Sequence, residues 1–114
     1  MEDRIAISLI KQGNLNGLET LVNRYQAKAV HAAYLITRDR ASAEDAAQSA
    51  FVKAAERIHQ FDDERPFSPW FFRIVIHDAL KLAKRMKRQT SLDELDEDAS
   101  ALSTWLVDSA PQPE

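Results

Sequence analysis

The chain has no cysteine and only two glycines in 114 residues. The lack of cysteine excludes disulfide bonds and thiolate zinc sites and fits a reducing compartment, while two glycines cannot form a glycine-rich phosphate loop. No apolar run approaches the roughly 20 residues that span a bilayer, and the N-terminus MEDRIAISLI lacks the pattern of a signal peptide. We therefore predict a cytosolic (cytoplasmic) protein with no membrane insertion.

Helix-forming residues dominate the composition. Hydrophobic residues make up 45% of the chain, alanine is abundant and β-branched residues are sparse. This composition favours helix over strand, and 114 residues suffice for one domain with one modest core. We predict an all-α fold, a compact bundle of three to four helices.

The net charge of −3 conceals an asymmetry along the chain. Residues 1–88 hold all 15 Lys and Arg and 11 Asp and Glu, whereas residues 89–114 hold seven acids and no basic residue. We predict a polyanion-binding helical domain over 1–88 and an acidic, mostly irregular linker over 89–114. Because this linker closes on PQPE, we expect that a second domain followed it.

Capping signals and apolar stripes predict where the helices lie. The first helix is predicted from about Asp3 to Gln12, with Ile5, Leu9 and Ile10 as its apolar residues. The last is predicted to run to about Arg88. The second, third and last helices are predicted to start at short motifs, namely Asn16 with Glu19, Ser42 with Asp45, and Ser68-Pro69, in that order.

Five of the nine aromatic residues fall within twelve positions: Phe61, Phe67, Trp70, Phe71 and Phe72. Aromatic rings beside positive charge suit single-stranded nucleic acid, because stacking contributes roughly 1–3 kcal/mol per base. A small bundle also needs large side chains in its core. We predict that Phe71 and Phe72 are core residues, and the sequence leaves Phe61, Phe67 and Trp70 open between the two roles.

Basic residues form a stripe along the last predicted helix. Their spacings of four, four, three and four place them on one face, opposite the apolar stripe. A solvated face is the simpler interpretation, but the stripe shares its helix with the aromatic cluster, so we predict phosphate contacts. We define the basic stripe as Arg73, His77, Lys81, Lys84 and Arg88.

No residue pattern indicates catalysis. The three histidines, His31, His59 and His77, have no neighbours at metal-ligand spacing with a carboxylate, and no nucleophile elbow is present. We predict no active site, no metal and no cofactor.

The string AEDAAQSAFVKAAERIHQFDDERPFSPWFFRIVIHDAL resembles region 2 of extracytoplasmic-function sigma factors. That family typically shows an acidic pair, then Gln and Phe, an FD-type loop, and F-x-x-W-L-x-R-I followed by a basic helix. The upstream string GNLNGLETLVNRYQAKAVHAAYLITRDR resembles the start of the same domain, so the resemblance covers roughly residues 5–88. It implies a transcription initiation factor domain that binds core RNA polymerase and recognises and melts the −10 promoter element.

The resemblance also implies two surfaces. Asp45 and Gln48 would contact the clamp helices of the polymerase β′ subunit, with Phe51 in the core. The loop Phe61–Phe67 and the helix from Trp70 onward would capture the non-template strand, with a base flipped into a loop pocket. An anti-sigma factor is an expected partner, and the acidic linker would lead to a helix-turn-helix domain for the −35 element, which is absent here. The implied DNA-binding residues are Phe61, Phe67, Trp70 and the basic stripe.

The sequence departs from the family at His77, where Asn is frequent. Asn presents a donor and an acceptor to a base edge, whereas a neutral His carries one of each on opposite ring nitrogens. The preferred −10 bases therefore need not follow the family. An alternative function remains open from the residues alone: a helical protein-interaction regulator that mimics or masks a sigma domain without binding DNA.

Overall fold

The computed structural model describes residues 2–88, which form four α-helices and one short 3₁₀ turn. The all-α prediction is confirmed, and within residues 2–88 there is no strand. The predicted acidic linker, 89–114, lies outside the described residues. The helices are α1 (Asp3–Lys11), α2 (Asn16–Thr37), α3 (Arg40–Glu56) and α4 (Phe67–Lys87), with the 3₁₀ turn at Ile58–Gln60.

Three long helices, α2, α3 and α4, surround the core, whose centre is the fully buried ring of Phe71. That ring lies 4.5 Å from the ring of Phe51 on α3 and 5.5 Å from the ring of Phe67, measured between centroids. Phe72 is also buried, so the prediction that Phe71 and Phe72 belong to the core is confirmed. The buried face of α3 is otherwise made of small residues, Ala43, Ala46, Ala47, Ala50 and Ala54.

The first helix, α1, packs against the start of α2 through a close backbone contact. A Cβ at Gly17 would lie 2.1 Å from the carbonyl oxygen of Ala6, so only glycine fits there. This contact turns the Ala6 edge of α1 inward, so the buried face is not centred on the apolar residue Ile5. Ile5 is 50% exposed, and α1 instead buries Ala6, Ile7 and Ile10.

We expect Gly17→Ala to destabilise the domain, although alanine alone favours helix by about 1 kcal/mol. The new methyl group would meet a backbone oxygen, so α1 must shift, and overpacking costs about 1–3 kcal/mol. The unfolding midpoint in urea should fall. Gln26→Ala, at an exposed position of α2, is the control and should leave it nearly unchanged. An unchanged or higher midpoint for Gly17→Ala would contradict the close contact.

The helix caps differ from those predicted. Asp39 caps α3, accepting hydrogen bonds from the Ser42 amide (2.9 Å) and the Ser42 hydroxyl (2.7 Å), so Ser42 donates to the cap. The Ser42 hydroxyl and then its amide hold the pKa of Asp39 below its ordinary value. At α2, Asn14 accepts from the Asn16 amide, so Asn16 and Glu19 form no capping pair. Several adjacent Asn, Asp and Ser residues meet the same sequence rule, which is why the motifs misplaced these caps.

Candidate nucleic-acid interface

All five residues of the basic stripe are exposed, four of them on α4 and Arg88 at its C-terminal cap. Their spacing places them on one face, and the opposite face buries Phe71, Val75 and Ala79 in the core. Within residues 2–88, no carboxylate forms an ion pair with Arg73, Lys81, Lys84 or Arg88. The structure therefore brings the predicted basic residues together on one exposed face, and no carboxylate within residues 2–88 neutralises the four Lys and Arg among them.

The aromatic cluster lies mostly inside the protein. Phe61 and Phe67 are 5% and 3% exposed, and their rings meet edge to face with centroids 5.8 Å apart. This corrects the interpretation that these two rings stack on bases, because burial of large apolar rings closes the bundle where α3 passes to α4. Trp70 is half-buried, with its ring 4.9 Å from that of Phe61. Of the three rings, Trp70 alone keeps part of its surface exposed.

Residues 62–66 form the loop between these aromatic residues, and the first four are exposed. Asp62 organises the turn: its carboxylate accepts from the Glu64 amide and its carbonyl accepts from the Arg65 amide, each at 3.0 Å. Phe61 and Phe67 fasten the two ends of the loop in the core. The loop thus has a defined shape at the N-terminal end of α4.

A lysine from α1 also holds this loop. The Nζ of Lys11 donates to the carbonyl oxygen of Phe61 (3.2 Å) and to Oδ1 of Asp63 (2.7 Å). Sequence reasoning missed Lys11, because these partners lie 50 and 52 residues away and no local pattern connects them.

A second surface lies on α3. Asp45 and Gln48 are both exposed and Phe51 is buried, as predicted. Val52 lies on the same face, seven residues after Asp45 and four after Gln48, and it is 57% exposed. Sequence reasoning missed Val52, although its helical spacing from Asp45 and Gln48 was a usable signal.

A buried ion pair joins the helices that carry the two surfaces. Nζ of Lys53 on α3 lies 2.5 Å from Oδ1 of Asp78 on α4, and the Asp78 side chain is 5% exposed. The other carboxylate oxygen, Oδ2, has no hydrogen-bond partner among the described residues. Asp78 follows His77 directly but points about 100° away around α4, into the contact with α3 and not along the basic stripe. The pair was also missed, since an acid within a basic helix gives no sign of its partner.

Residues 2–88 contain no cluster of three or more His, Cys, Asp or Glu that could hold a metal ion. In the same part of the chain, no helix is both long and apolar enough to cross a membrane.

The chain resembles known proteins over most of its length. Residues 21–89 match the family model for sigma-70 region 2. The chain is 30% identical over 99 residues to the RNA polymerase sigma-H factor of Pseudomonas aeruginosa, which covers 86% of this chain and 51% of the relative. It is 31% identical over 87 residues to the ECF RNA polymerase sigma factor SigW of Bacillus subtilis, which covers 76% and 46%. The chain thus spans about half the length of these relatives.

A solved structure shares the fold. The NMR structure of an engineered region 2 of sigmaE in complex with GTAAAA superimposes with a TM-score of 0.72 at 27% identity. The match covers 81% of this chain and 96% of that one.

Proposed function

Because the chain belongs to the sigma-70 region 2 family and is similar to sigma factors of the extracytoplasmic-function group, we propose that it binds core RNA polymerase and captures the single-stranded −10 element of a promoter. Sigma factors are transcription initiation factors and not enzymes, which confirms the prediction that the chain has no catalytic role. The observation that carries the proposal is the row of exposed basic residues on and just after α4, next to the half-buried Trp70. Within residues 2–88, four of them, Arg73, Lys81, Lys84 and Arg88, have no ion-pair partner.

The basic stripe supports contacts to the DNA backbone. From Arg73 to Arg88 it extends along α4 for about 22 Å, at 1.5 Å per residue. Cations spread over this length on one face suit a linear run of phosphates better than a single small anion. Trp70, one turn before Arg73, supplies a partly exposed ring for a base at the loop end. The engineered sigmaE region 2, which has the same fold, is in complex with the hexanucleotide GTAAAA.

The mechanism we propose is differential binding. A domain that binds the open strand more tightly than duplex shifts polymerase-bound DNA toward the melted state by that difference in affinity, with no bond made or broken. The 62–66 loop and Trp70 would receive the displaced base, and the basic stripe would hold the following phosphates. His77, midway along the stripe, would contact a base edge.

We place the polymerase contact on α3, at Asp45 and Gln48, and add Val52 as an apolar contact on the same face. The clamp helices of the β′ subunit are the proposed partner, and an anti-sigma factor is a proposed competitor. Residues 89–114 are proposed as the linker to a −35-binding domain. All of these activities would take place in the cytoplasm.

The central test compares single-stranded and duplex −10 DNA in holoenzyme that contains this protein. We expect tighter binding to the single strand, and a loss of affinity with salt of about 0.7 in log–log slope for each phosphate neutralised. Fluorescence anisotropy at several salt concentrations measures both quantities. Equal affinity for the two probes would contradict strand capture and favour the alternative, a regulator that mimics a sigma domain without binding DNA.

Two substitutions on the stripe should behave differently. Lys84→Ala is expected to weaken all −10 sequences alike and to make the salt slope shallower by about 0.7, because one phosphate contact is lost. His77→Ala should instead change the ranking of probes with single base substitutions. If the two variants give the same ranking and the same salt slope, His77 is not a base contact.

A further inference from the structure

We infer that α1 is part of the promoter-recognition apparatus, and that Lys11 is a positioning residue for the loop of residues 62–66. The inference rests on the proposed function, because it concerns the loop that would receive the displaced base. In the described structure α1 lies outside both proposed contact surfaces, and its effect on DNA would pass through the Lys11 side chain.

The geometry of Lys11 is that of a clamp. One ammonium group holds a main-chain oxygen at the base of the loop, in Phe61, and a side-chain oxygen within the loop, on Asp63. The Lys11 side chain is only 25% exposed, so water screens these charge-assisted contacts less than it would at an open surface. The contact to the Phe61 carbonyl involves a main-chain oxygen, so it does not depend on the side chain at position 61. It fixes the backbone where the loop leaves the core.

The positive charge of Lys11 also acts on the loop, because it offsets part of the loop's negative charge. The loop carries three acids, Asp62, Asp63 and Glu64, at the place where a DNA strand is proposed to pass. Arg65 lies 3.7 Å from the carboxylate of Asp62, and Lys11 pairs with Asp63. Without Lys11, the Asp63 carboxylate would be free to move and to repel phosphates. Lys11 therefore both shapes the loop and reduces its negative charge.

The helix that carries Lys11, α1, is itself fixed to α2. The carboxylate of Asp3 accepts hydrogen bonds from Arg24 and from the hydroxyl of Tyr25, and the contact at Gly17 seats the middle of α1. Burial, followed by the hydrogen bond to Asp3 and the charge of that carboxylate, raises the pKa of Tyr25 above its ordinary value. With these contacts to α2, α1 holds Lys11 at a defined distance from the loop.

The experiment uses Lys11→Met, which keeps the aliphatic stem and removes the charge, in holoenzyme. We expect preferences among −10 probes with single base substitutions to fall several-fold, and the loop amides of residues 62–65 to exchange hydrogen for deuterium faster. Lys11→Arg, which retains a charged donor, should restore most of the discrimination. Arg4→Met is the matched control: it also removes one positive charge from α1, at an exposed position that makes none of the contacts described for Asp3, Ala6 and Lys11, and it should leave the base preferences unchanged.

Binding by the unaltered protein tests the proposed function, and the Lys11 variants test the positioning role of Lys11. If the unaltered protein binds single-stranded and duplex probes equally, the proposed function is wrong, and the inference about DNA recognition is wrong with it. If the unaltered protein captures the single strand but Lys11→Met keeps the same base preferences, the proposed function stands and Lys11 has no positioning role. Equal changes of preference in Lys11→Met and Arg4→Met would also overturn the role of Lys11, since the loss of one positive charge anywhere on α1 would then account for the effect.

Discussion

Replacement of both Asp45 and Gln48 by arginine is expected to lower the affinity for core RNA polymerase by at least about 100-fold. The few hot-spot residues near the centre of an interface each contribute about 2 kcal/mol or more, and a loss of about 2.7 kcal/mol corresponds to about 100-fold. Two arginines also reverse the charge of this face and must be desolvated without partners. Because both positions are exposed and arginine favours helix, the circular dichroism spectrum should not change.

Glu44→Arg provides the control for charge, since Glu44 is exposed on α3 next to Asp45 but points about 100° away around the helix. It breaks only a solvent-exposed contact to Arg40, which contributes little to stability. Its affinity for polymerase should stay within a few-fold of the unaltered protein. Wild-type affinity in the Asp45→Arg/Gln48→Arg variant would remove this face of α3 from the proposed interface.

Lys53→Met is expected to be the most destabilising of the charge substitutions. It leaves the Asp78 carboxylate, which is 5% exposed, without its ammonium partner. Removal of one member of a buried pair typically costs about 3–5 kcal/mol, and the 27% exposure of Lys53 lets water reduce this to about 2–3 kcal/mol. Urea unfolding followed by circular dichroism measures the difference in free energy of unfolding.

A second variant separates two contributions to the free energy of unfolding: the penalty for a buried charge without a partner, and the net contribution of the ion pair. Lys53→Met/Asp78→Leu removes both charges and should recover most of the lost stability, because a hydrophobic pair often replaces a buried ion pair at little cost. Lys84→Met, at an exposed position on α4, should stay within about 0.5 kcal/mol of the unaltered protein. Equal losses in the single and double variants would show that the unpaired charge of Asp78 is not the cause of the destabilisation.

Features of this fold that repeat with helical spacing could be predicted from the sequence, but contacts between residues far apart in the chain could not. The basic stripe and the exposed pair Asp45 and Gln48 could be predicted, because helical spacing determines which side chains share a face. The match to the sigma-70 region 2 family and the similarity to known sigma factors confirmed the family resemblance that the sequence motifs indicated.

Contacts between distant segments had no local signal. The clamp of Lys11 and the pair of Lys53 with Asp78 join residues 52 and 25 positions apart, and only the fold brings them together. Phe61 and Phe67 illustrate a different limit. An aromatic residue in a joint between helices can fill the core or face a ligand, and the packing of neighbouring helices decides which. The inward face of α1 depended in the same way on one backbone contact, at Gly17.

The alanine-rich buried face of α3 has a consequence for how rigidly the two proposed surfaces are held relative to each other. Five of its six buried side chains are alanine, which have no rotamers and lose no side-chain entropy when they pack. Small side chains also let helix axes approach towards the short end of the usual 8–10 Å. The layer between the two proposed surfaces therefore has few alternative packings into which it could relax. Polymerase bound to α3 would thus hold α4 at nearly constant height above the DNA strand, with little of the binding free energy lost to internal rearrangement.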